Sequence, residues 1–347
     1  MSRFWEFGVD RQVHSCHLGP VWDWPGPGQR LGTSSRISFN GKADMDISVK
    51  LGMLKLKNPI MTASGTFGYG LEFKPYGRLE DLGAVVVKGL SLEPRQGNPM
   101  PRIVETPCGM LNAIGLQNIG VEAFLKEKLG LLPWKTTPVI VNLYGQTRED
   151  FARLADILSR EQGVAALEVN ISCPNVREGG IQFGQDPVQA ARVTEVVKKS
   201  AGSKPVIIKL SPNVSDVTVI ARAVESAGAD AISLINTLGG MAVDIYTRKP
   251  CLANKFGGLS GPAIKPVALK MVHEVCKKVS LPVIGLGGIS SARDVLEFIL
   301  VGASAVQVGT ATFTRPDRVF SLVSEVEKLA MELGLDSWND FQGTLKN

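Results

Sequence analysis

The chain has 347 residues, of which 44% are hydrophobic and 20% charged, a composition that excludes an intrinsically disordered protein. Its 38 basic and 33 acidic residues give a net charge of +5 without a basic run, so nucleic-acid binding is not expected. The five cysteines form no Cys-x-x-Cys pair and only three histidines occur, so we predict neither a disulfide framework nor a metal site on this chain.

The first 45 residues differ in composition from the rest of the chain. They hold three of the five tryptophans, and the segment WPGPGQR at 24–30 interrupts regular structure. We predict a poorly ordered extension over residues 1–45 and a folded domain over residues 46–347; a segment that docks on a partner and an incorrectly assigned start codon are the alternatives for the extension. No apolar stretch has the length of a signal peptide or membrane helix, so we expect a cytoplasmic protein with no membrane partner.

Short apolar runs recur along the rest of the chain. An alternating segment at 47–57, centred on Gly52, predicts a β-hairpin that closes the bottom of a barrel. Eight runs follow, each succeeded by a plausible helix or a Gly- and Pro-rich segment, which indicates repeated βα units and an α/β fold, the (β/α)8 barrel. The runs occupy residues 59–63, 84–88, 139–143, 166–171, 206–210, 231–235, 282–285 and 305–308.

Helices are predicted between the later runs, several with Pro or Asp near the first turn. They occupy residues 187–200, 216–227, 262–279, 292–301 and 316–333. The longest insertions, residues 89–120 and 238–261, follow the second and sixth strands. Because insertions of this length in a compact barrel are usually functional, we expect them to lie over the active site.

Polar side chains gather at the C-terminal ends of the predicted strands, where barrels of this class hold their active sites. A single lysine there is usually a surface residue whose stem covers apolar side chains. Two lysines and three asparagines after apolar runs instead favour a bound ligand rich in carbonyl, amide and carboxylate groups. The strand-end residues are Ser64, Lys88, Gly89, Asn142, Asn170, Lys209, Asn236 and Thr237.

Glycines follow the seventh and eighth strands. Gly287 and Gly288 come after the seventh, and Gly309 and Thr310 after the eighth. Backbone N–H groups at this end of a barrel commonly hold a phosphate, and tight βα turns are the alternative. The segment GLGG at 285–288 is not a Gly-x-Gly-x-x-Gly fingerprint, so no nicotinamide site is predicted on this chain.

Cys173 stands just past the fourth strand, in the polar segment SCPN at 172–175. A lone cysteine is usually a small buried hydrophobe. Here the predicted fold brings Lys88 and Lys209 to the same barrel mouth, and nearby cations favour the thiolate that a base needs near neutral pH. Cys173 is therefore the candidate base, and Cys108, on the second-strand insertion, is its rival.

Short motifs spread over residues 46–330 resemble those of the dihydroorotate dehydrogenases that use a cysteine base. Their joint occurrence in this order is far more specific than any single glycine pattern. The motifs are ASGTFG at 63–68, VKG at 87–89, GNPMPR at 97–102, GMLNAIGLQN at 109–118, EVNISCPN at 168–175, KLSPN at 209–213, INT at 235–237, GLSGPAIKP at 258–266 and GLGG at 285–288.

The resemblance implies an FMN-dependent barrel that oxidises dihydroorotate to orotate in pyrimidine biosynthesis. Cys173 then removes a proton from C5 while a hydride leaves C6 for FMN, and Lys209 stabilises the charge of the reduced flavin. The implied substrate-binding residues are Lys88, Asn112, Ala113, Ile114, Gly115, Leu116, Asn170, Asn236 and Thr237. The implied FMN-binding residues are Ser64, Lys88, Gly89, Asn142, Asn170, Lys209, Ile235, Gly261, Gly287, Gly288, Gly309 and Thr310.

The motifs at 112–118 and 258–266 are most similar to those of the NAD-linked, two-subunit branch. Because this chain has no iron–sulfur cysteines and no nucleotide fingerprint, the resemblance implies a partner subunit that carries FAD and an iron–sulfur cluster, in a heterotetramer built on a homodimer of this chain. Membrane-bound relatives have a serine base and an apolar helical extension, which this chain lacks. The alternatives are a fumarate-dependent homodimer, another FMN barrel acting on a pyrimidine, and a phosphate-binding barrel without redox activity.

Overall fold

Parallel strands closed into a barrel form the centre of the molecule. The computed structural model describes residues 46–172, 177–178, 181–335 and 337–346, so the predicted extension at 1–45 lies outside the described residues. The barrel strands, labelled β1 to β8 in chain order, are Ile60–Thr62, Val85–Leu90, Val139–Leu143, Ala166–Asn170, Val206–Lys209, Ala231–Leu234, Val283–Leu286 and Ala305–Val308. They pair in the order β1-β8-β7-β6-β5-β4-β3-β2, and a parallel bridge between Met61 and Ala84 closes the ring. The predicted (β/α)8 barrel is confirmed.

The barrel strands consist mostly of branched apolar residues that are buried on both faces. All five residues of β3 are buried, as are Val85, Val86 and Val87 of β2. This is the pattern of a parallel sheet whose outer face is covered by helices. The third and eighth strands have the predicted bounds, and the bounds of the other six differ from the prediction by one or two residues. The seventh run, for example, begins at Val283 rather than Pro282, because proline has no N–H to donate to a ladder.

Helices connect most of the barrel strands and cover the outside of the barrel. Within the described residues, the α-helices α1 to α9 are Val121–Glu127, Arg148–Ser159, Pro187–Ser200, Val217–Ser226, Lys265–Cys276, Ala292–Leu300, Ala311–Thr314, Arg318–Glu332 and Trp338–Phe341. Short 3-10 helices occupy Leu71–Tyr76, Leu79–Asp81, Leu129–Leu131 and Pro262–Ile264.

The helix starts follow local capping chemistry. Thr147 caps α2 and Ser291 caps α6, each in a reciprocal capping box with an aspartate three residues later, and Asp186 caps α3 ahead of Pro187. The helix predicted at 262–279 divides into a 3-10 turn and α5. Pro266 explains the division, because it has no N–H to bond back to residue 262 in a continuous α-helix.

A β-hairpin at 49–56 lies at the N-terminal end of the barrel, as predicted. Its strands, Val49–Leu51 and Leu54–Leu56, pair antiparallel around Gly52, which has a φ of +59°. A Cβ added at Gly52 would lie 3.7 Å from the carbonyl oxygen of Asp230, the residue that precedes β6. Because Leu51 and Leu56 are buried, the hairpin extends the barrel core at the end opposite the candidate active site.

The insertions after β2 and β6 join into one antiparallel sheet, a feature that the sequence did not predict. Its strands are, in order of pairing, Leu238–Gly240, Gly257–Ser260, Gly109–Asn112 and Ile103–Thr106. Gly258 pairs with Asn112, and Leu259 pairs with Leu111. Two further short hairpins pair Val243–Asp244 with Lys249–Pro250 and Arg177–Glu178 with Ile181–Gln182. Both long insertions are therefore fixed against each other.

Candidate active site

A buried carboxylate, Glu168 of β4, collects side chains from three other strands inside the barrel. Asn142 Nδ2 donates to Glu168 Oε2 at 2.7 Å. Gln307 Nε2 and Ser233 Oγ donate to Oε1 at 2.6 and 2.9 Å. Glu168 and Ser233 are 0% exposed, and Asn142 and Gln307 are 1% exposed. Because each neutral group donates, both carboxylate oxygens of Glu168 act as hydrogen-bond acceptors.

Lys209, at the end of β5, lies beside this carboxylate and is 4% exposed. Its ammonium nitrogen is 3.6 Å from Glu168 Oε2, and it lies 3.5 Å from both Ser64 Oγ and Gln307 Oε1. All three distances are at or beyond the outer limit of a hydrogen bond, although an ammonium group has three donors to satisfy. A buried cation held this loosely fits a ligand that brings a carbonyl or anionic oxygen to it.

Hydrogen bonds around Asn170, at the end of β4, link three neighbouring strand ends. Its Oδ1 accepts from the backbone N–H of Ser172 at 3.2 Å and lies 3.4 Å from Asn236 Nδ2. Ser172 Oγ donates to the carbonyl of Lys209 at 2.9 Å, and Asn236 Oδ1 accepts from the N–H of Thr237 at 2.8 Å. The asparagines predicted at the fourth and sixth strands thus meet.

Lys88 occupies a half-buried place in β2, where its backbone N–H donates to the carbonyl of Gly68 at 2.8 Å. Burial lowers the pKa of its ammonium, the positive charge of Arg102 lowers that pKa further, and Glu72 acts in the opposite direction. Two cations near this strand end create an environment that favours an anionic ligand.

The residue after Lys88 packs directly against the third strand. A Cβ added at Gly89 would lie 2.7 Å from Asn142 Oδ1. The β2 backbone therefore approaches the Asn142 amide too closely for a side chain at position 89. The structure thus brings together Gly89 and Asn142, two of the residues predicted to bind FMN.

The segment at 112–116, predicted to close over the substrate, is held by its neighbours. Asn112 Nδ2 donates to the carbonyl of Gly258 at 3.2 Å. The side chain and backbone N–H of Asn98 donate to the carbonyls of residues 113 and 114 at 2.9 and 3.0 Å. Gly115 and Leu116 have φ values of +74° and +58°, so the segment turns sharply here. The loop is a shaped surface, fixed to the antiparallel sheet.

The predicted phosphate-binding glycines come together in a narrow cradle. Gly288 has a φ of +76°, and a Cβ added there would lie 3.0 Å from the carbonyl oxygen of Gly261 and 2.7 Å from Lys265 Cβ. Gly287 has a φ of +128°, and its added Cβ would lie 3.3 Å from Ile235 Cγ1. Only glycine fits these positions, and the exposed backbone suits the close approach of an anion.

The turn after β8 completes this cradle. The carbonyl of Gly309 accepts from the backbone N–H and hydroxyl of Thr312 at 3.0 and 2.9 Å, which fixes the turn. Thr310 Oγ1 donates to Ser260 Oγ at 2.8 Å. A Cβ added at Gly261 would lie 3.6 Å from Thr310 Cγ2, so residues 261, 288 and 310 surround one small volume.

Cys173, the candidate base, lies outside the described residues. Its rival Cys108 is exposed, and its carbonyl accepts from the N–H of Ala263 at 3.0 Å in the loop that adjoins the cradle. Burial raises the pKa of the Cys276 thiol to about 12, which makes that cysteine unreactive. Among the residues that the structure describes, no cluster of three His, Cys, Asp or Glu side chains could hold a metal ion. Over the same residues, no helix is long and apolar enough to cross a bilayer.

Sequence reasoning missed Glu168, Ser233 and Gln307 as site residues. The available signal was a polar side chain inside an apolar run: Glu168 is the only charged residue of β4, and Gln307 interrupts β8. A charge in a strand buried on both faces requires partners, so such a residue indicates an internal polar cluster.

The fold and the strand-end groups define a (β/α)8-barrel protein with a buried cation, a cluster of amides and a glycine cradle at one end. Residues 46–330 match the model of the dihydroorotate dehydrogenase family, and the chain belongs to that family, as its motifs predicted. The chain is similar to proteins named as the catalytic subunit of dihydroorotate dehydrogenase B (NAD(+)). That of Solidesulfovibrio magneticus is 65% identical over 302 residues, covering 87% of this chain and 99% of the relative. That of Maridesulfovibrio salexigens is 63% identical over 87% of this chain and 99% of the relative. That of Geotalea daltonii is 58% identical over 88% of this chain and 99% of the relative.

Proposed function

We propose that this chain is the catalytic subunit of an NAD-linked dihydroorotate dehydrogenase, which oxidises dihydroorotate to orotate in pyrimidine biosynthesis. The observation that carries the proposal is the meeting of Asn170, Asn236 and Lys209 at one barrel end, in a chain 65% identical to a relative of that name. A ring that carries a carboxylate and amide groups matches these amides and the nearby cations in chemical type.

FMN is the proposed cofactor, and the described residues fit it in two ways. Among the residues that the structure describes, the buried cation Lys209 has long polar contacts alone, which suits an electron-rich flavin ring. The Gly261, Gly288 and Thr310 cradle suits the phosphate. When bound, FMN supplies the hydride acceptor. The residues proposed to hold it are Ser64, Lys88, Gly89, Asn142, Asn170, Lys209, Ile235, Gly261, Gly287, Gly288, Gly309 and Thr310.

The substrate is proposed to bind between the strand ends and the segment at 112–116. The positive charges of Lys88 and Arg102 favour its carboxylate, and the amides of Asn112, Asn170 and Asn236 match its ring amides in donor and acceptor type. Thr237 and the backbone of residues 113–116 are the remaining proposed contacts. Fixed donors of this kind stabilise the charge that develops when a carbon acid is deprotonated.

Cys173 is the proposed base that removes the C5 proton. The support from the described residues is its neighbour: Ser172 is anchored by hydrogen bonds to Asn170 and to the backbone of Lys209. Ser172, the residue before Cys173 in the sequence, is therefore fixed beside the proposed substrate contacts. A base that acts on a weakly acidic carbon must itself be held in position.

Electrons are proposed to leave through a separate subunit that carries FAD and an iron–sulfur cluster, in a heterotetramer built on a homodimer of this chain. The supporting observations are the name "catalytic subunit" carried by the relatives and the lack of a Cys-x-x-Cys pair in this sequence. NAD reduction by the isolated chain would contradict this assignment.

Purification of the chain alone tests the proposed function directly. We expect a yellow protein with one FMN per chain whose flavin absorbance is bleached by dihydroorotate under anaerobic conditions. Turnover with NAD should require the co-purified partner, and fumarate and quinone should support little turnover. A colourless protein that does not take up added FMN would contradict the proposal.

A further inference from the structure

Glu168 is a buried carboxylate to which the proposed reaction assigns no role. We propose that Glu168 is a positioning residue that acts through Lys209, holding its ammonium group at the cofactor site and offsetting its charge, so that the pair sets how readily bound FMN is reduced. This inference rests on the proposed function, since it concerns the FMN site.

The carboxylate is fixed without help from Lys209. Its three neutral donors, Asn142, Ser233 and Gln307, come from β3, β6 and β8 and lie 2.6 to 2.9 Å from its oxygens. Groups donated from three separate strands define the position of the carboxylate within the barrel. A residue needed only to neutralise a lysine would not require this set of donors.

Lys209, in contrast, is oriented by its described neighbours but makes no short hydrogen bond to them. Its Nζ lies 3.6 Å from Glu168 Oε2 and 3.5 Å from Ser64 Oγ. The side chains of Lys209 and Glu168 are 6% and 0% exposed, so water screens their charges poorly. The Glu168 carboxylate therefore lies beside the ammonium as a countercharge, while these long contacts leave the ammonium hydrogen atoms available to a ligand.

The two charges act in opposite directions on a cofactor that becomes more negative when it is reduced. The Lys209 ammonium would favour the reduced form, and the Glu168 carboxylate, fixed 3.6 Å from it, would weaken that preference. Because the pair is neutral as a whole, removal of either charge leaves the other uncompensated in a buried site. The signs of the two effects must then differ.

The test is the midpoint potential of FMN bound to three variants, measured by equilibration with a reference dye. We expect Glu168→Gln to favour reduction and Lys209→Met to disfavour it. Each change should be about tenfold in the reduction equilibrium, which corresponds to about 30 mV for a two-electron couple. Glu168→Asp, which keeps the charge, should return the potential towards that of the wild type.

Ser233→Ala is the matched structural control. It removes one donor to the same carboxylate and leaves the carboxylate charge and the Gln307 contact in place. The protein should therefore lose stability, while the reduction equilibrium of bound FMN stays within about threefold of the wild type. If Glu168→Gln does not retain FMN, the double variant with Lys209→Met should reverse the change caused by Lys209→Met alone. Three results would overturn the inference. The first is an equal shift of the midpoint potential in Ser233→Ala and Glu168→Gln, and the second is a shift of the same sign in Glu168→Gln and Lys209→Met. The third is a double variant whose potential equals that of Lys209→Met. Wild-type protein that binds no FMN would instead overturn the proposed function.

Discussion

Gly288 and Gly261 approach each other so closely that a Cβ added at Gly288 would lie 3.0 Å from the Gly261 carbonyl oxygen. The two glycines come from the loop after β7 and from the end of the second insertion. Their contact joins the barrel to the antiparallel sheet at the proposed phosphate end of the cofactor. The glycine cradle is thus both a proposed binding element and a structural junction.

Substitution of Gly288 should damage both roles of this junction. In Gly288→Ala the new methyl group would lie 2.7 Å from Lys265 Cβ at a φ of +76°, so we expect a loss of about 2 to 4 kcal/mol in the free energy of unfolding, together with weaker FMN binding. Chemical denaturation and flavin retention on gel filtration measure the two effects. Gly130→Ala, where no atom lies within 4 Å of the added Cβ, is the control and should unfold like the wild type.

Replacement of the proposed base should separate chemistry from cofactor binding. We expect Cys173→Ala to retain FMN and to lose about 10²- to 10⁴-fold in dihydroorotate oxidation at neutral pH, because no other group is proposed to take the C5 proton. Stopped-flow measurement of flavin bleaching by dihydroorotate reads this step directly. Cys108→Ala serves as the comparison, and a greater loss there than at Cys173 would transfer the role of base to Cys108.

Binding of orotate should weaken at alkaline pH because of Lys88. Burial and the charge of Arg102 hold the pKa of Lys88 below the ordinary 10.5. An anionic ligand favours the protonated lysine, so affinity should fall as the pH rises through this lowered pKa. Titration of the flavin spectrum with orotate at a series of pH values gives the profile.

Two variants identify the group responsible for that profile. Arg102→Met removes a neighbouring positive charge and should move the alkaline fall in affinity to higher pH. The Lys88→Met variant should bind orotate weakly, and its affinity should not fall in the pH range where Lys88 loses its proton. If Lys88→Met keeps the wild-type profile, Lys88 does not bind the ligand anion.

Asp294, whose carboxylate accepts a hydrogen bond from Lys265 beside the glycine cradle, should make the free energy of unfolding depend on pH in the acid range. Burial alone would raise the pKa of Asp294, but hydrogen bonds from Lys265, Ser290 and Ser291 outweigh it and hold that pKa below the usual 3.8. A carboxyl group whose folded pKa is depressed stabilises the protein above its unfolded pKa, and this contribution disappears as the pH falls through the folded pKa.

Asp294→Asn should therefore destabilise the protein at neutral pH and reduce its loss of stability in acid. We expect a decrease of about 1 to 3 kcal/mol at about pH 7, since charge-assisted hydrogen bonds to Lys265 and to the α6 cap are lost. Urea denaturation at about pH 7 and at about pH 2, on either side of the lowered pKa, checks this. Asp317→Asn, at an exposed ion pair with Arg315, is the comparison and should change little. An unchanged acid profile in Asp294→Asn would contradict the assignment.

Most barrel elements were predictable because their signals are local. The runs at 139–143 and 305–308 and the helix at 187–200 have the predicted bounds, since buried strands read as short apolar runs and Asp186 with Pro187 marks a helix start. The helix predicted at 316–333 is shorter, because Arg315 and the proline after it precede α8 in extended and turn conformations. The antiparallel sheet escaped prediction because residues 112 and 258, which pair in it, are far apart in the chain.

The sequence by itself determined the fold class, the family and the polar residues that end each barrel strand, because these depend on local patterns and motif order. Only the tertiary structure decided which of those residues meet. Barrel closure and strand register bring Glu168, Lys209 and Gln307 from three strands into one buried cluster, and they bring Gly261 to Gly288. Such contacts depend on how the strands pair around the ring, and no local propensity encodes that arrangement.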